Sequence, residues 1–238
     1  MKTKIGFFDS GMGGTTIFNA VKNLLPDEEY FYLADSKNCP YGEKSDDELK
    51  KIVTKNTETL INWGAKIIVI ACNTATVKCI EYLRKKYPDI KFVGTEPAIK
   101  LAADTDAKDI LVLATPGTVQ SERTHILLNK NQKTGQKINL LTCPGLADTI
   151  ENTLKFDENY QLITPNSDEK LIIAHKLSEL FAEIIETPNI IVLGCTHYSL
   201  IKPEIQNFFP NTTLIDGSEG IAHQVENVLK TDYNVVNE

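Results

Sequence analysis

No stretch of this sequence approaches the roughly 20 consecutive apolar residues that a bilayer-spanning helix needs, and no block of lysine or arginine interrupts it. The first absence leaves no helical membrane span to expect. The second, with a formal net charge of -7, argues against nucleic acid as a principal partner, because phosphate backbones are met by clustered basic residues. The opening Met1-Lys2-Thr3-Lys4 runs directly into a short strand, without the apolar core of a secretory leader. A cytoplasmic setting is therefore expected.

Pairing signatures among the cysteines are missing as well. Cys39, Cys72, Cys79, Cys143 and Cys195 are odd in number and widely spaced, which suits free thiols in a reducing compartment and not a disulfide framework. No CxxC or HxxxH pair occurs. Cys195 and His197 could both bind zinc, but nothing supplies the remaining ligands, so neither a metal nor a cofactor is expected. The segment Asp9-Ser10-Gly11-Met12-Gly13-Gly14 fits neither GxGxxG nor the P-loop with its Lys-Ser/Thr, which leaves little reason to expect a nucleotide.

What is present is a repeated device. Ile67-Ile68-Val69-Ile70-Ala71 runs into Cys72-Asn73-Thr74, and Ile190-Ile191-Val192-Leu193-Gly194 runs into Cys195-Thr196-His197. A β-branched run bounded by turn residues reads as a central strand of a parallel sheet, buried on both faces. Both cysteines then sit at carboxyl ends of strands, where open α/β sheets form their ligand crevice. Such a cysteine can also be no more than a small buried hydrophobe; its recurrence with polar successors favours chemistry that uses a matched pair.

The rest of the chain, 238 residues with 42% hydrophobic content, is enough for one large domain or two small ones. Lys4 to Phe8 is a strand ending in the glycine-rich segment, whose backbone N–H groups could meet a small anion at the start of the helix Ile17 to Leu25, with Asp9 and Ser10 presented to it. Tyr30 to Ala34 is a second strand, followed by a loop closing with Pro40-Tyr41-Gly42 that could cover a ligand or be an ordinary turn. Ser45-Asp46-Asp47-Glu48 reads as a capping box, opening a helix with Leu49, Ile52, Val53, Leu60 and Trp63 on one stripe. After polar residues 104–108 the order repeats. Asp109 to Leu113 ends in Ala114-Thr115-Pro116-Gly117-Thr118, Ile138 to Thr142 matches the second strand, and the Cys195 strand matches the Cys72 strand. The interval is longer in this half, and the surplus is a helical region from Ala147 to Glu186 with Leu171, Ala174, Leu177, Leu180, Phe181 and Ile184 on its stripe. The final strand and helix suit either half. The expected architecture is two similar parallel-sheet α/β domains facing each other across a cleft, one from 1–97 with 211–238 and the other from 98–210.

Opposed thiols serve a redox couple, a shared metal, or proton transfer on both faces of one carbon. A redox couple usually brings CxxC, and nucleophilic catalysis by Cys195 with His197 leaves Cys72 without a task. Proton transfer uses both: one thiolate removes a proton from a stereocentre while the opposite thiol donates one to the other face. A free thiol near pKa 8.5 needs help to reach operating pH. Each cysteine precedes a predicted helix, whose N-terminal dipole favours thiolate, and Asp9 and His197 are placed to assist. A polar cage of Ser10, Asn73, Thr74 and Thr196 suits carboxylates without a metal.

Asp-Ser-Gly-Met-Gly-Gly (9–14), Pro-Tyr-Gly (40–42), Ala-Cys-Asn-Thr-Ala (71–75) and Gly-Cys-Thr-His-Tyr (194–198), in order over almost the whole chain, resemble the glutamate racemases of the cofactor-independent aspartate/glutamate racemase superfamily. The resemblance implies a two-domain α/β isomerase that interconverts L- and D-glutamate and supplies D-glutamate for peptidoglycan, hence for the cell wall and cell shape. By that likeness Cys72 acts on D-glutamate with Asp9 assisting, and Cys195 acts on L-glutamate with His197 assisting. Asp9, Ser10, Tyr41, Gly42, Asn73, Thr74, Thr118, Thr196 and His197 would hold substrate, Glu151 matches a family acid near the second thiol, and a homodimer is implied. Leu146-Ala147-Asp148-Thr149-Ile150 departs from the Phe-Val-Pro-Leu-like stretch usual before that acid, and Ser199 stands where Pro is common. Rival expectations are racemisation of aspartate or another acidic amino acid, a two-lobed small-anion binding protein, and a thiol hydrolase built on Cys195 and His197.

Overall fold

The computed structural model describes residues 2–232. The first lobe runs β1 (Lys4–Asp9), α1 (Thr15–Leu24), β2 (Glu29–Ala34), α2 (Asp46–Asn62), β3 (Ile67–Ile70), α3 (Asn73–Lys86) and β4 (Lys91–Gly94). A short α4 (Ile99–Ala103) leads to the second, which runs β5 (Asp109–Ala114), α5 (Pro116–Val119), α6 (Glu122–Asn131), β6 (Lys137–Thr142), α7 (Leu146–Thr153), α8 (Ser167–Phe181), β7 (Ile190–Leu193), α9 (Thr196–Ser199), α10 (Lys202–Phe208) and β8 (Thr213–Ile215). The chain ends its described part in α11 (Ser218–Asp232). Each lobe holds one four-stranded sheet, in order β2-β1-β3-β4 and β6-β5-β7-β8, with every pairing parallel. The two-lobed α/β expectation therefore holds.

The apolar runs dictate this arrangement. All four residues of β3 and of β7 are buried, as a strand between two helical layers requires. Phe7 pairs with Val69 in the first sheet and Val112 with Val192 in the second, so the ends of β1 and β3, and of β5 and β7, come level. Asp9 and Cys72 leave one sheet side by side, as do Thr115 and Cys195 the other.

Several expectations need correction. The strand Thr213–Ile215 belongs to the second sheet, paired with β7, although the range 211–238 was assigned to the first lobe. A crossover through α10 sets it along the otherwise unpaired edge of β7. Only α11 returns, burying Ala222, Val225 and Leu229 with Ile17, Phe18 and Val21 of α1; residues 233–238 of that range lie outside the described residues. The helical region Ala147 to Glu186 is two helices. Between them the chain forms a bridge from Phe156 to Leu162 and places Tyr160 at φ 61°, with its ring 5.7 Å from Phe18 and 5.3 Å from Tyr32. A left-handed non-glycine residue costs about 1–2 kcal/mol, offset here by packing a second-lobe ring against the first. In α8 the buried stripe is Ile173, Leu177 and Phe181, and Leu171 is exposed. Trp63, expected on the buried stripe of α2, is 44% exposed and lies against Phe31. Ser45 caps the Glu48 amide, but the Glu48 carboxylate pairs with Lys44 instead of closing a capping box.

Ile68 lies fully buried at the centre of the first sheet. Ile68→Ala should cost about 2–5 kcal/mol, read from urea denaturation; a loss below about 1 kcal/mol would mean the sheet collapses into the space.

Candidate active site

Asp9 ends β1 and Cys72 lies two residues beyond the end of β3, so parallel pairing brings them together at the seam between the lobes. Cys72 caps the 14-residue α3, whose dipole favours thiolate by about 0.3–1 kcal/mol. Burial and the neighbouring Asp9 charge prevail, and the thiol is held well above its ordinary pKa. The Asp9 carboxyl is itself pushed up by burial, against the opposing pull of the His197 charge and of the Gly14 and Ser10 amides. Its Oδ2 accepts from the Gly14 N–H at 2.8 Å and from the Thr196 hydroxyl of the other lobe at 3.2 Å. Its buried Oδ1 has no hydrogen-bond partner among the described residues.

The second thiol is served differently. Cys195 lies two residues beyond β7, but α9 after it is only four residues long before α10 starts at Lys202, too short to build a macrodipole. The expectation of a helix dipole at both thiols is thus met at Cys72 alone. At Cys195 the partner is a side chain: its Sγ lies 3.8 Å from His197 Nδ1, and His197 Nε2 lies 2.9 Å from Glu151 Oε2. Burial would lower the imidazole pKa, yet hydrogen bonds with Cys195, Cys39 and Glu151 outweigh it and hold the ring well above the ordinary histidine value. Glu151, burial notwithstanding, is kept below the ordinary carboxylate value by His197, Ser36 and the Met12 amide. The arrangement is a charged imidazole between a thiol and a carboxylate. Cys195 is also among the groups whose charge raises Cys72, so the two thiols face into one electrostatic neighbourhood.

The glycine-rich turn holds the protein's own carboxylates, which corrects its reading as a small-anion cradle. The Met12 N–H donates to Glu151 Oε2 at 2.8 Å, as Gly14 does to Asp9. A Cβ on Gly11 would fall 2.4 Å from the Glu151 carboxylate, and one on Gly13 would fall 2.6 Å from the His197 amide and 2.7 Å from its Nδ1. These positions are glycine because the lobes meet there backbone to side chain.

Ser10, Asn73, Thr74, Thr118 and Thr196 are all buried at the seam. Thr74 Oγ1 lies 2.8 Å from Thr115 Oγ1 and 3.1 Å from Thr118 Oγ1, a hydroxyl cluster that joins α3 to α5 across the lobes. Gly42 backs onto Thr115. The Tyr41 hydroxyl is turned away from this cluster, donating to Asp35 at 2.6 Å and accepting from Asn56 at 2.8 Å. Three participants were not singled out from sequence: Thr115, Ser36, whose hydroxyl donates to Glu151 Oε1 at 2.6 Å, and Cys39, a hydrogen-bonding neighbour of His197. The position of Thr115 opposite Asp9 in the repeat was a usable signal; for Ser36 and Cys39 only the loop's place after β2 was.

A family model described as Asp/Glu/Hydantoin racemase matches residues 15–225. The chain is 38% identical over 230 residues to the glutamate racemase of Clostridium novyi, covering 96% of this chain and 84% of that one. It is similar to the crystal structure of Escherichia coli glutamate racemase in complex with L-glutamate and the activator UDP-MurNAc-Ala, at 30% identity and TM-score 0.82, covering 97% of this chain and 84% of that one. The RacE1 isoform from Bacillus anthracis gives 28% identity and TM-score 0.79, covering 96% and 82%.

In an NMR pH series on labelled protein, His197 should titrate well above the ordinary histidine value. Glu151→Gln should bring its titration down towards the ordinary range, because a neutral amide no longer favours the cation. An unchanged titration would show that Glu151 does not set the charge of the ring.

Proposed function

Because the chain belongs to the Asp/Glu/Hydantoin racemase family, we propose that it is a glutamate racemase, inverting the α-carbon of glutamate with two thiols and no cofactor. From L-glutamate, the Cys195 thiolate takes the α-proton, so that a C–H bond breaks and an S–H bond forms. The Cys72 thiol then gives its proton to the opposite face of the carbanion, leaving the Cys72 thiolate and the Cys195 thiol, the state that accepts D-glutamate. The reverse reaction uses the same groups with their roles exchanged. D-Glutamate so formed supplies peptidoglycan synthesis, and the same reading carries a cytoplasmic enzyme working as a homodimer.

Residue roles follow from the partners. His197, backed by Glu151, is the group placed to exchange a proton with Cys195. Asp9, with its pKa raised by burial, is a proton acceptor matched to the raised Cys72 thiol, and its unpartnered Oδ1 suits either that thiol or a substrate ammonium. Ser10, Asn73, Thr74, Thr118 and Thr196 offer donors to the carboxylates, where negative charge grows as the carbanion forms. Gly42, beside Thr115, and Tyr41, through its backbone, complete the enclosure.

The observation that carries this reading is that each thiol has an acid–base group in its neighbourhood, Asp9 acting on Cys72 through its charge and His197 lying against Cys195, with the Thr196 to Asp9 hydrogen bond tying the two sets together. Cys195, His197 and Glu151 alone also form the layout of a thiol hydrolase, which is the second reading. It leaves Cys72 and Asp9 idle, whereas inversion uses all five groups. Similarity to glutamate racemases of 36–38% identity supports glutamate over aspartate.

Purified protein in deuterated water should convert L-glutamate to the racemate with deuterium at the α-carbon, and should act on aspartate far more slowly. Cys72→Ser and Cys195→Ser should each lower kcat by about 10²–10⁴-fold. Full activity in either variant would remove that thiol from the mechanism, and ester hydrolysis surviving Cys72→Ser would favour the hydrolase.

A further inference from the structure

Glu151 is anchored on α7 of the second lobe, yet two of its three donors belong to the first. The Ser36 hydroxyl holds Oε1 at 2.6 Å and the Met12 amide holds Oε2 at 2.8 Å, while His197 shares Oε2 at 2.9 Å. We propose that Ser36 is a positioning residue for racemisation: by holding Glu151 from across the seam it orients His197 and tunes proton transfer at Cys195, and it does so only while the lobes are together. The inference rests on reading Cys195 as one of two acid–base thiols.

Three features support it. The terminal torsion of a glutamate side chain is broad and selects no orientation by itself, so its donors fix the carboxylate, and Ser36 is the one that holds Oε1 while Met12 and His197 hold Oε2. A hydroxyl donating to the charged carboxylate stabilises that charge, and the charge in turn favours the imidazolium beside Cys195. His197 and Glu151 share a lobe, whereas Ser36 and Met12 do not. Motion that parts the lobes breaks the Ser36 and Met12 bonds while leaving the His197–Glu151 pair intact. The carboxylate then loses two donors at once, and the pair that governs Cys195 is fully assembled only over a closed seam.

Ser36 is exposed on its loop, so its replacement leaves the core untouched. The test compares Ser36→Ala and Ser36→Thr with the parent protein in both directions, using glutamate with hydrogen or deuterium at the α-carbon. The two enantiomers are equal in free energy, so kcat/KM must fall equally in both directions and cannot identify the impaired thiol; isotope effects can. Ser36→Ala should lower kcat/KM by about 10–100-fold, the rate equivalent of losing one hydrogen bond to a charged group. It should also raise the α-deuterium effect from L-glutamate, where Cys195 takes that hydrogen. From D-glutamate it should lower the effect, because donation of a solvent proton by Cys195 becomes the slow step. Ser36→Thr, keeping the hydroxyl, should restore the parent isotope effects. An unchanged rate in Ser36→Ala, or a loss with both isotope effects moved alike, overturns the role of Ser36 while leaving the racemase reading in place. A parent protein that neither exchanges nor inverts glutamate overturns the racemase reading and this inference with it.

Discussion

A carboxylate half-buried between two lobes needs donors in place of the water it loses, and Glu151 draws them from three separate segments: the glycine-rich turn, the loop after β2 and the turn after β7. Much of the seam answers to that requirement. Gly11 has no side chain because the carboxylate lies against its backbone, and Gly13 has none because His197 lies there. The carboxylate is one of the groups, after Cys195, that raise the imidazole above its ordinary pKa, and the Cys195 sulfur stands beside that ring. A chain of contacts thus runs from one half-buried charge to one sulfur.

The lobes share a strand order but not the means of handling their thiols. Cys72 has a long helix behind it and a carboxyl whose pKa burial raises. Cys195 has a single helical turn and a charged imidazole. Inversion of a carbon requires the two sulfur atoms to stand on opposite faces, and it places no demand on their partners being alike. Duplicated topology brings the two thiols out at equivalent strand ends, and the lobes surround them differently: Asp9 ends the strand beside that of Cys72, whereas His197 lies in the turn after Cys195.

This also explains what could be read without coordinates. The strands were legible because Ile67 to Ile70 and Ile190 to Leu193 are apolar runs with a polar break, and the thiols were legible because they stand at those breaks. Glycines 11 and 13 were visible as a turn, but their cause lies 140 and more residues away along the chain, in Glu151 and His197. Periodicity carries no information about such meetings. The same holds for β8: a three-residue strand is too short to declare its sheet, and only the open edge of β7 assigns it. The helical reading of Ala147 to Glu186 fails between α7 and α8, where Tyr160 leaves helical geometry to meet Phe18 and Tyr32. That departure is a tertiary contact overriding a local pattern, and its cause sits in the other lobe.

The seam is joined by bonds of two strengths. At one end, Thr74, Thr115 and Thr118 exchange hydrogen bonds between neutral hydroxyls, each worth about 0.5–1.5 kcal/mol net. At the other, Glu151 receives its donors as an ion, where each bond is worth about 1.5–3 kcal/mol. Hydroxyls can rotate to donate or accept, so the threonine end can re-pair with little loss, whereas the Glu151 end has fixed directions set by a backbone amide and an imidazole. Adaptability and definition are therefore separated in space. The adaptable end is built from groups suited to meeting a carboxylate, and the defined end from those that govern a proton.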